Sequence, residues 1–438
     1  MNTAFLLLST CAIAFLGYFL TGRSIASPSV LFIVPFVFAI IDGLFYYKEW
    51  LFNIHIETMS IVLICMVVFV LSSCVVHGFS NFFTRRKVIN IESNFIKNEA
   101  AERKLYISMI VFQFVSLIIC FVAERNIVSS YGYGGSISDV IGGYNDLLKF
   151  SDSDVALTGI PALLQGLMIG VSYISAYFFA RDFLYRKDRN KNLAVAFFVV
   201  SILCLVVNGS RTGAFGLCLA AFVMYLIRKK KDNSFSGLLN LNIKYIIYPL
   251  AGILLVVVLF YLSLAWLGRD KESDFLYYIS VYLGAPLRNF DLTFYDGIPR
   301  SQYFGQFSFK YLYLTIVRFG LAPQDALVGA YPFNSFHGYW LGNVYTIFYS
   351  LIADFGTAGC ILAVVLMAII SQILYEITVR TINDSLLISV VYGYLSFHLF
   401  MSFFSCNFYQ NLTSMSFVKF LIPVILISYL YRSSFKRI

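Results

Sequence analysis

The sequence predicts an all-α, polytopic membrane protein, and three observations carry that prediction. Of its 438 residues 59% are hydrophobic and 13% charged, about half the charged share of an average soluble domain. The apolar residues fall in runs of roughly 20, the number of helical residues that crosses a bilayer core of ~30 Å. Lysine and arginine collect in short clusters between those runs, where they act as topology signals. An aromatic share of 18% excludes a disordered chain, and 28 glycines without a period exclude a fibrous one. The net charge of +9 is spread over the clusters rather than gathered on one face, so no nucleic-acid partner is expected.

Apolar runs at 3–20, 28–46, 57–77, 103–122, 160–180, 192–208, 212–228, 243–263, 356–376, 385–405 and 412–431 give about eleven spans. The first has no basic residues ahead of it, and Gly22 to Ser27 lead into another span, so it reads as a retained helix rather than a cleaved signal. Cationic clusters follow at Arg85, Arg86, Lys87, Lys97, Arg103 and Lys104, at Arg181, Arg186, Lys187, Arg189 and Lys191, and at Arg228 to Lys231 with Lys244. With alternating spans all of them fall on one side, together with Arg23, Arg380, Arg432, Lys436 and Arg437. Basic residues resist translocation, so that side is the cytoplasm, the N-terminus lies outside and the C-terminus inside.

The chain then reads as a single integral membrane domain, 1–438, with two long extracytoplasmic segments at 123–159 and 264–355. The first mixes Tyr131, Tyr133 and neighbouring glycines with Asp139, Asp146, Asp152 and Asp154, a composition shared by sugar-contacting loops and by ordinary solvated ones. In the second, Phe307 to Gly320 has only Lys310 and Arg318 charged and reads as an interfacial helix. Leu341 to Ala353 is too short to span and fits a re-entrant half-helix. The eight cysteines lie mostly inside apolar runs without a CxxC, and the four histidines, His55, His77, His337 and His398, are scattered, so neither a disulfide framework nor a metal site is expected.

Three constellations could carry chemistry. Asn208-Gly209-Ser210-Arg211-Thr212-Gly213 lies between two apolar runs with almost no residues to spare. It reads as a tight outer hairpin in which Arg211 and the N–H groups of the next helix offer an anion site; the competing reading has Arg211 reaching lipid headgroups. Gly284 to Asp291 sets Arg288 three residues before Asp291, either a phosphate-binding cation with its orienting carboxylate or an i, i+3 surface ion pair worth little. Asn334 to Thr346 holds His337, whose imidazole suits proton transfer near neutral pH, with Tyr339 and Trp340 as faces for sugar rings and Asn343, Tyr345 and Thr346 as further contacts. Asp354 follows before Phe355-Gly356, as an acid–base group or as the cap of the incoming helix.

These segments together, the Asn208-to-Gly213 turn, the Gly-Ala-Pro-Leu-Arg288-Asn-Phe-Asp291 run and the Gly342-Asn-Val-Tyr-Thr346 to Asp354-Phe-Gly356 stretch, resemble the Wzy-type O-antigen polymerases of bacterial surface polysaccharide synthesis. The motifs cover residues 200 to 360; span number and the large late exterior loop extend the likeness to the whole chain. The resemblance implies a lipid-phosphosugar-dependent (GT-C-like) glycosyltransferase of the bacterial inner membrane. It would join repeat units carried on undecaprenyl pyrophosphate at the periplasmic face, using no cofactor. Membrane lipid and a chain-length regulator protein would be its partners. The expected roles are leaving-group neutralisation by Arg211, Arg288 and Arg318, helped by Asn208, Gly209, Ser210 and Thr212, and proton transfer by His337, or else Asp291 or Asp354. An O-antigen ligase and a flippase for the same lipid-linked sugars are the alternatives. A flippase would need ionisable groups inside the bilayer, for which Asp42 and Lys419 are the candidates.

Overall fold

The computed structural model describes residues 2–83, 95–97, 99–133, 135–150, 155–185, 190–208, 211–231, 275–381, 385–433 and 435–437. Among them nine helices are long and apolar enough to cross a membrane, and Lys191–Val207 is a shorter apolar helix. The expected span at 243–263 lies outside the described residues. The chain is a largely α-helical, multi-pass membrane protein.

In chain order the helices are α1 (Asn2–Leu20), α2 (Pro28–Phe45), α3 (Ile56–Phe83), α4 (Glu99–Ser130), α5 (Ile137–Phe150), α6 (Gly159–Phe178), α7 (Lys191–Val207), α8 (Arg211–Lys231), α9 (Phe275–Leu283), α10 (Ala285–Asp296), α11 (Lys310–Arg318), α12 (Ile347–Arg380), α13 (Leu386–Phe400), α14 (Asn407–Leu412) and α15 (Met415–Ser433). Four short strands complete it: β1 (Phe95–Lys97) pairs antiparallel with β4 (Phe435–Arg437), and β2 (Asn334–Phe336) with β3 (Tyr339–Gly342). Local chemistry sets the boundaries. Pro28 opens α2 at the first turn, where its missing N–H costs nothing. Ser136 and Asp139 cap α5 reciprocally: the Ser136 hydroxyl accepts the Asp139 N–H at 3.2 Å and the Asp139 carboxylate accepts the Ser136 N–H at 2.9 Å. Asp139, read as a loop acid, is thus a helix-capping group. The half-helix expected at 341–353 is the first part of α12, which begins at Ile347 and breaks at Gly356, where φ is 70°, a backbone region that favours glycine.

The helices form two compact units. The first holds α1–α3, α9–α11, α12 up to Ile377 and residues 395–415. Its core is aromatic: Phe32 stacks on Phe69 at 4.5 Å, and Phe348 of α12 meets Phe36 at 5.6 Å and Phe290 of α10 at 5.8 Å. Helices α3 and α12 meet at Cys65 against Cys360 and, further along, at His77 Nδ1, 2.6 Å from the Glu376 carboxylate. Asp42, a candidate path residue, instead accepts the Ser280 hydroxyl at 2.9 Å and ties α9 to α2.

The second unit holds α4–α8, residues 378–394 and α15. Tyr106, Tyr177, Phe178, Phe197, Leu217 and Phe420 are fully or almost fully buried in its core. After Phe178 the helix widens into a π-turn over Phe179–Tyr185, which swings Arg181 inward. The sequence groups Arg181 with the loop cations; the structure leaves it 3% exposed. Its guanidinium donates to Asp182 (2.5 Å from Nε), Glu102, Tyr106 and Tyr431, and Asn190 adds a bond to Glu102. A cation is buried there because each of its donors meets an oxygen.

Candidate functional site

The best-formed constellation lies in the first unit, where α10 meets the short segment between α2 and α3. Arg288 and Asp291, one helical turn apart, share a face of α10. Their side chains are 4% and 0% exposed, so this is a buried ion pair rather than a surface one. Arg288 Nη1 donates to Asp291 Oδ2 at 2.5 Å, Nε donates to the Trp50 carbonyl at 3.1 Å, and the guanidinium lies 4.9 Å from the Phe336 ring centre. Burial pulls the guanidinium below its ordinary proton affinity and the Asp291 charge opposes that pull.

Asp291 holds more than arginine. Its Oδ1 accepts the backbone N–H of His55 at 2.9 Å, and His55 Nδ1 lies 3.1 Å from both carboxylate oxygens. The imidazole stacks on Tyr295 at 4.1 Å and its side chain is 33% exposed. With Nδ1 as the donor to Asp291, the ring presents Nε2 outward as an acceptor, and Nε2 has no partner among the described residues. A carboxylate that fixes the tautomer of a half-exposed imidazole is the arrangement a general base needs. Sequence reasoning missed His55 because its partner is 236 positions away and no spacing joins them. The available hint was a lone histidine shortly after an aromatic turn between two apolar runs, Tyr46 to Phe52.

An aromatic shelf borders this pair. Strands β2 and β3 form a hairpin whose two-residue turn, His337-Gly338, has φ of 50° and 83° at its two positions, the left-handed geometry of a tight hairpin turn. Asn289 of α10 donates to the Leu341 and Val344 carbonyls at 3.0 Å each, and the Tyr277 hydroxyl donates to the Trp340 carbonyl at 2.7 Å. These bonds fix the hairpin so that Tyr339 and Trp340 remain 42% and 43% exposed. His337 is exposed at the turn, its ring flat on Phe336 at 4.4 Å. Asn343 is half-buried. Tyr345 donates to the Pro332 carbonyl at 3.0 Å, and both it and Thr346 are buried, so these two side chains serve the interior.

Asp354 accepts the N–H groups of Phe307 at 3.1 Å and Ser308 at 2.6 Å. It therefore holds the turn ahead of α11 rather than capping its own helix. Arg318 is exposed in the last turn of α11. Arg300, not singled out in the sequence, is exposed and reaches the break in α12: a Cβ on Gly356 would lie 2.6 Å from its Nη1.

The remaining candidates belong to the second unit. Asn208 closes α7, its N–H bonded to the Cys204 carbonyl at 3.2 Å, Arg211 opens α8 and Thr212 is exposed. Gly209 and Ser210 lie outside the described residues. Among the described residues no group of three or more His, Cys, Asp or Glu side chains is placed to hold a metal ion. In comparisons with known proteins, no family model, curated protein or solved structure matches the chain.

Proposed function

We propose that the chain is a membrane glycosyltransferase that polymerises undecaprenyl pyrophosphate-linked oligosaccharide repeat units at the periplasmic face of a bacterial inner membrane. The observation that supports this reading is the Asp291–His55 pair beside an exposed aromatic shelf. His55 Nε2 accepts the proton of the attacking sugar hydroxyl as its oxygen bonds to the anomeric carbon of the growing chain. The bond from that carbon to the pyrophosphate breaks, and undecaprenyl pyrophosphate leaves with the electron pair. Asp291 keeps the imidazole oriented and stabilises it once protonated. Arg288 is committed to Asp291, so it positions rather than binds phosphate. Neutralising the leaving group falls to Arg318 and Arg300, the exposed cations of the first unit. Tyr339 and Trp340 offer flat apolar faces to sugar rings, and a chain-length regulator would act on the product.

The test incubates purified protein in nanodiscs with a defined undecaprenyl pyrophosphate oligosaccharide and resolves products by size. A ladder supports the polymerase; transfer to a lipid A core alone makes the chain a ligase, and movement across vesicles without new glycosidic bonds makes it a flippase. His55→Ala is expected to slow the ladder by about 10²- to 10⁴-fold, the usual contribution of a general base, and Arg318→Ala by about 10²- to 10³-fold. Trp340→Ala raises KM and leaves kcat within about twofold, as loss of uniform binding does. Full activity in His55→Ala removes the proposed base.

A further inference from the structure

Between Val111 and Val122 helix α4 is polar where it is buried and apolar where it is exposed. Its buried positions form one stripe, Glu102, Tyr106, Met109, Gln113, Ser116, Cys120, Glu124 and Val128, spaced three and four apart as one helix face requires. All but Met109 and Val128 carry a polar or titratable group. The outer face shows Ile107, Val111, Phe114, Val115, Ile118 and Val122, all exposed. From Glu102 to Glu124 the stripe is ~33 Å long at 1.5 Å per residue, the thickness of a bilayer core.

Neighbouring helices join the stripe. At one end Glu102 and Tyr106 belong to the buried Arg181–Asp182 network. At the middle Gln113 Nε2 donates to the hydroxyls of Ser172 on α6 at 3.1 Å and Ser201 on α7 at 2.9 Å. Ser116 keeps a buried hydroxyl without a partner among the described residues, and the Cys120 thiol faces the Pro161 carbonyl at 3.4 Å. Glu124, at the other end, is 0% exposed, and neither of its carboxyl oxygens has a hydrogen-bond partner among the described residues.

Among the described residues the surroundings of Glu124 supply no counter-charge. Along α4 it sits between Cys120 and Val128, both in the apolar cluster that Tyr144 and Leu147 of α5 close. The Tyr144 hydroxyl accepts the Leu157 N–H, Cys204 of α7 is a thiol, and Lys419 of α15 donates to the Ala162 carbonyl at 3.1 Å. The first turns of α6 carry no titratable side chain, and Arg125 on α4 is exposed. A bare carboxylate in such a place is costly, so the group holds a proton or a cation.

We propose that the second unit conducts protons across the membrane along this stripe, with Glu124 and the Glu102–Asp182 pair as its end stations. A proton taken up on a Glu124 oxygen passes to water molecules that enter between the thiol, hydroxyl and amide groups of the stripe, which hold them by hydrogen bonds, and hops along that water to the carboxylates at the far end, each water losing one O–H proton as it gains another. Only O–H bonds form and break, and the slow step falls at the apolar turn of Met109. The inference rests on the second unit alone and stands apart from the glycosyl-transfer reading.

The test reconstitutes the full chain in vesicles with entrapped pyranine and imposes a potassium–valinomycin potential, with no sugar present. Wild-type protein is expected to carry proton flux above protein-free vesicles, and Glu124→Gln and Gln113→Leu to lower it at least tenfold. Dicyclohexylcarbodiimide, which attacks protonated carboxyls in apolar surroundings, is expected to label Glu124 in the wild-type protein, as read by mass spectrometry, independently of how any variant folds. Wild-type flux no greater than that of empty vesicles, undiminished flux in Glu124→Gln, or current that follows sodium instead of protons overturns the proposal.

Discussion

Asp291→Asn removes a charge and almost no volume, which makes it the sharpest probe of the constellation around α10. The Arg288 guanidinium, 4% exposed, would lose the oxygen at 2.5 Å that balances its charge. Its other contacts, the Trp50 carbonyl and the Phe336 ring, do not replace a full negative charge. Leaving one partner of a buried pair unpaired costs about 3–5 kcal/mol, and neither side chain is exposed enough for solvent to screen that cost. At about 2–4 °C per kcal/mol for a body the size of this unit, Tm in detergent should fall by about 6 °C or more. Arg288→Met in the same chain should recover part of the loss, because it removes the stranded cation; Arg288→Met alone should cost less than Asp291→Asn, because the His55 N–H and imidazole still donate to the carboxylate. The assay is thermal unfolding of the three variants as a double-mutant cycle. An Asp291→Asn protein that melts with the wild type, or single variants whose losses simply add, would refute the claim that the pair is buried and coupled.

Two further predictions follow from local geometry. In Gly284→Ala the new Cβ would stand 2.7 Å from an Asp42 carboxylate oxygen and 2.8 Å from the Gly43 nitrogen; backbone cannot step aside cheaply, so a loss of about 1–3 kcal/mol is expected, and an unchanged melt would contradict the close approach of α9–α10 to α2. The Asp139 carboxyl is held below the usual carboxylate range by the Ser136 N–H. Its capping of α5 is therefore fully present above the unfolded pKa and lost as pH falls through the lower folded value: hydrogen-exchange protection of residues 136–140 should persist at pH 5 and fade only below ~pH 4. Loss of protection already at pH 5 would sink that account.

The spans were legible because a bilayer imposes one length and one composition on every crossing helix. The apolar runs 3–20 and 28–46 match α1 and α2 to within a residue, since both helices are apolar from end to end. The apolar run 103–122 is shorter than α4 for the same reason: Glu102 and Glu124 resemble the edges of an apolar window, although Ala100–Ser130 is one continuous helix. The polar positions of α4 were in plain view at helical spacing, but hydropathy averaging blends both helix faces and conceals which of them is buried. At the candidate site the sequence supplied Arg288, Asp291 and the aromatic hairpin residues. It could not supply His55, which reaches Asp291 only through tertiary packing, nor show that Tyr345 and Thr346 turn inward. Asp354 shows the same limit: position suggested a cap, and only the fold reveals that the capped N–H groups belong to Phe307 and Ser308.

The inverted face of α4 also bears on how the chain is made. A helix emerging alone into lipid could not leave Glu102, Gln113 and Glu124 against acyl chains, so α4 must remain shielded beside the translocon until α6 and α7 have been synthesised to cover it. Biogenesis of this half would then proceed as a group release of several helices, and truncation after Ser130 should leave α4 exposed to degradation while a chain ending beyond Val207 retains it.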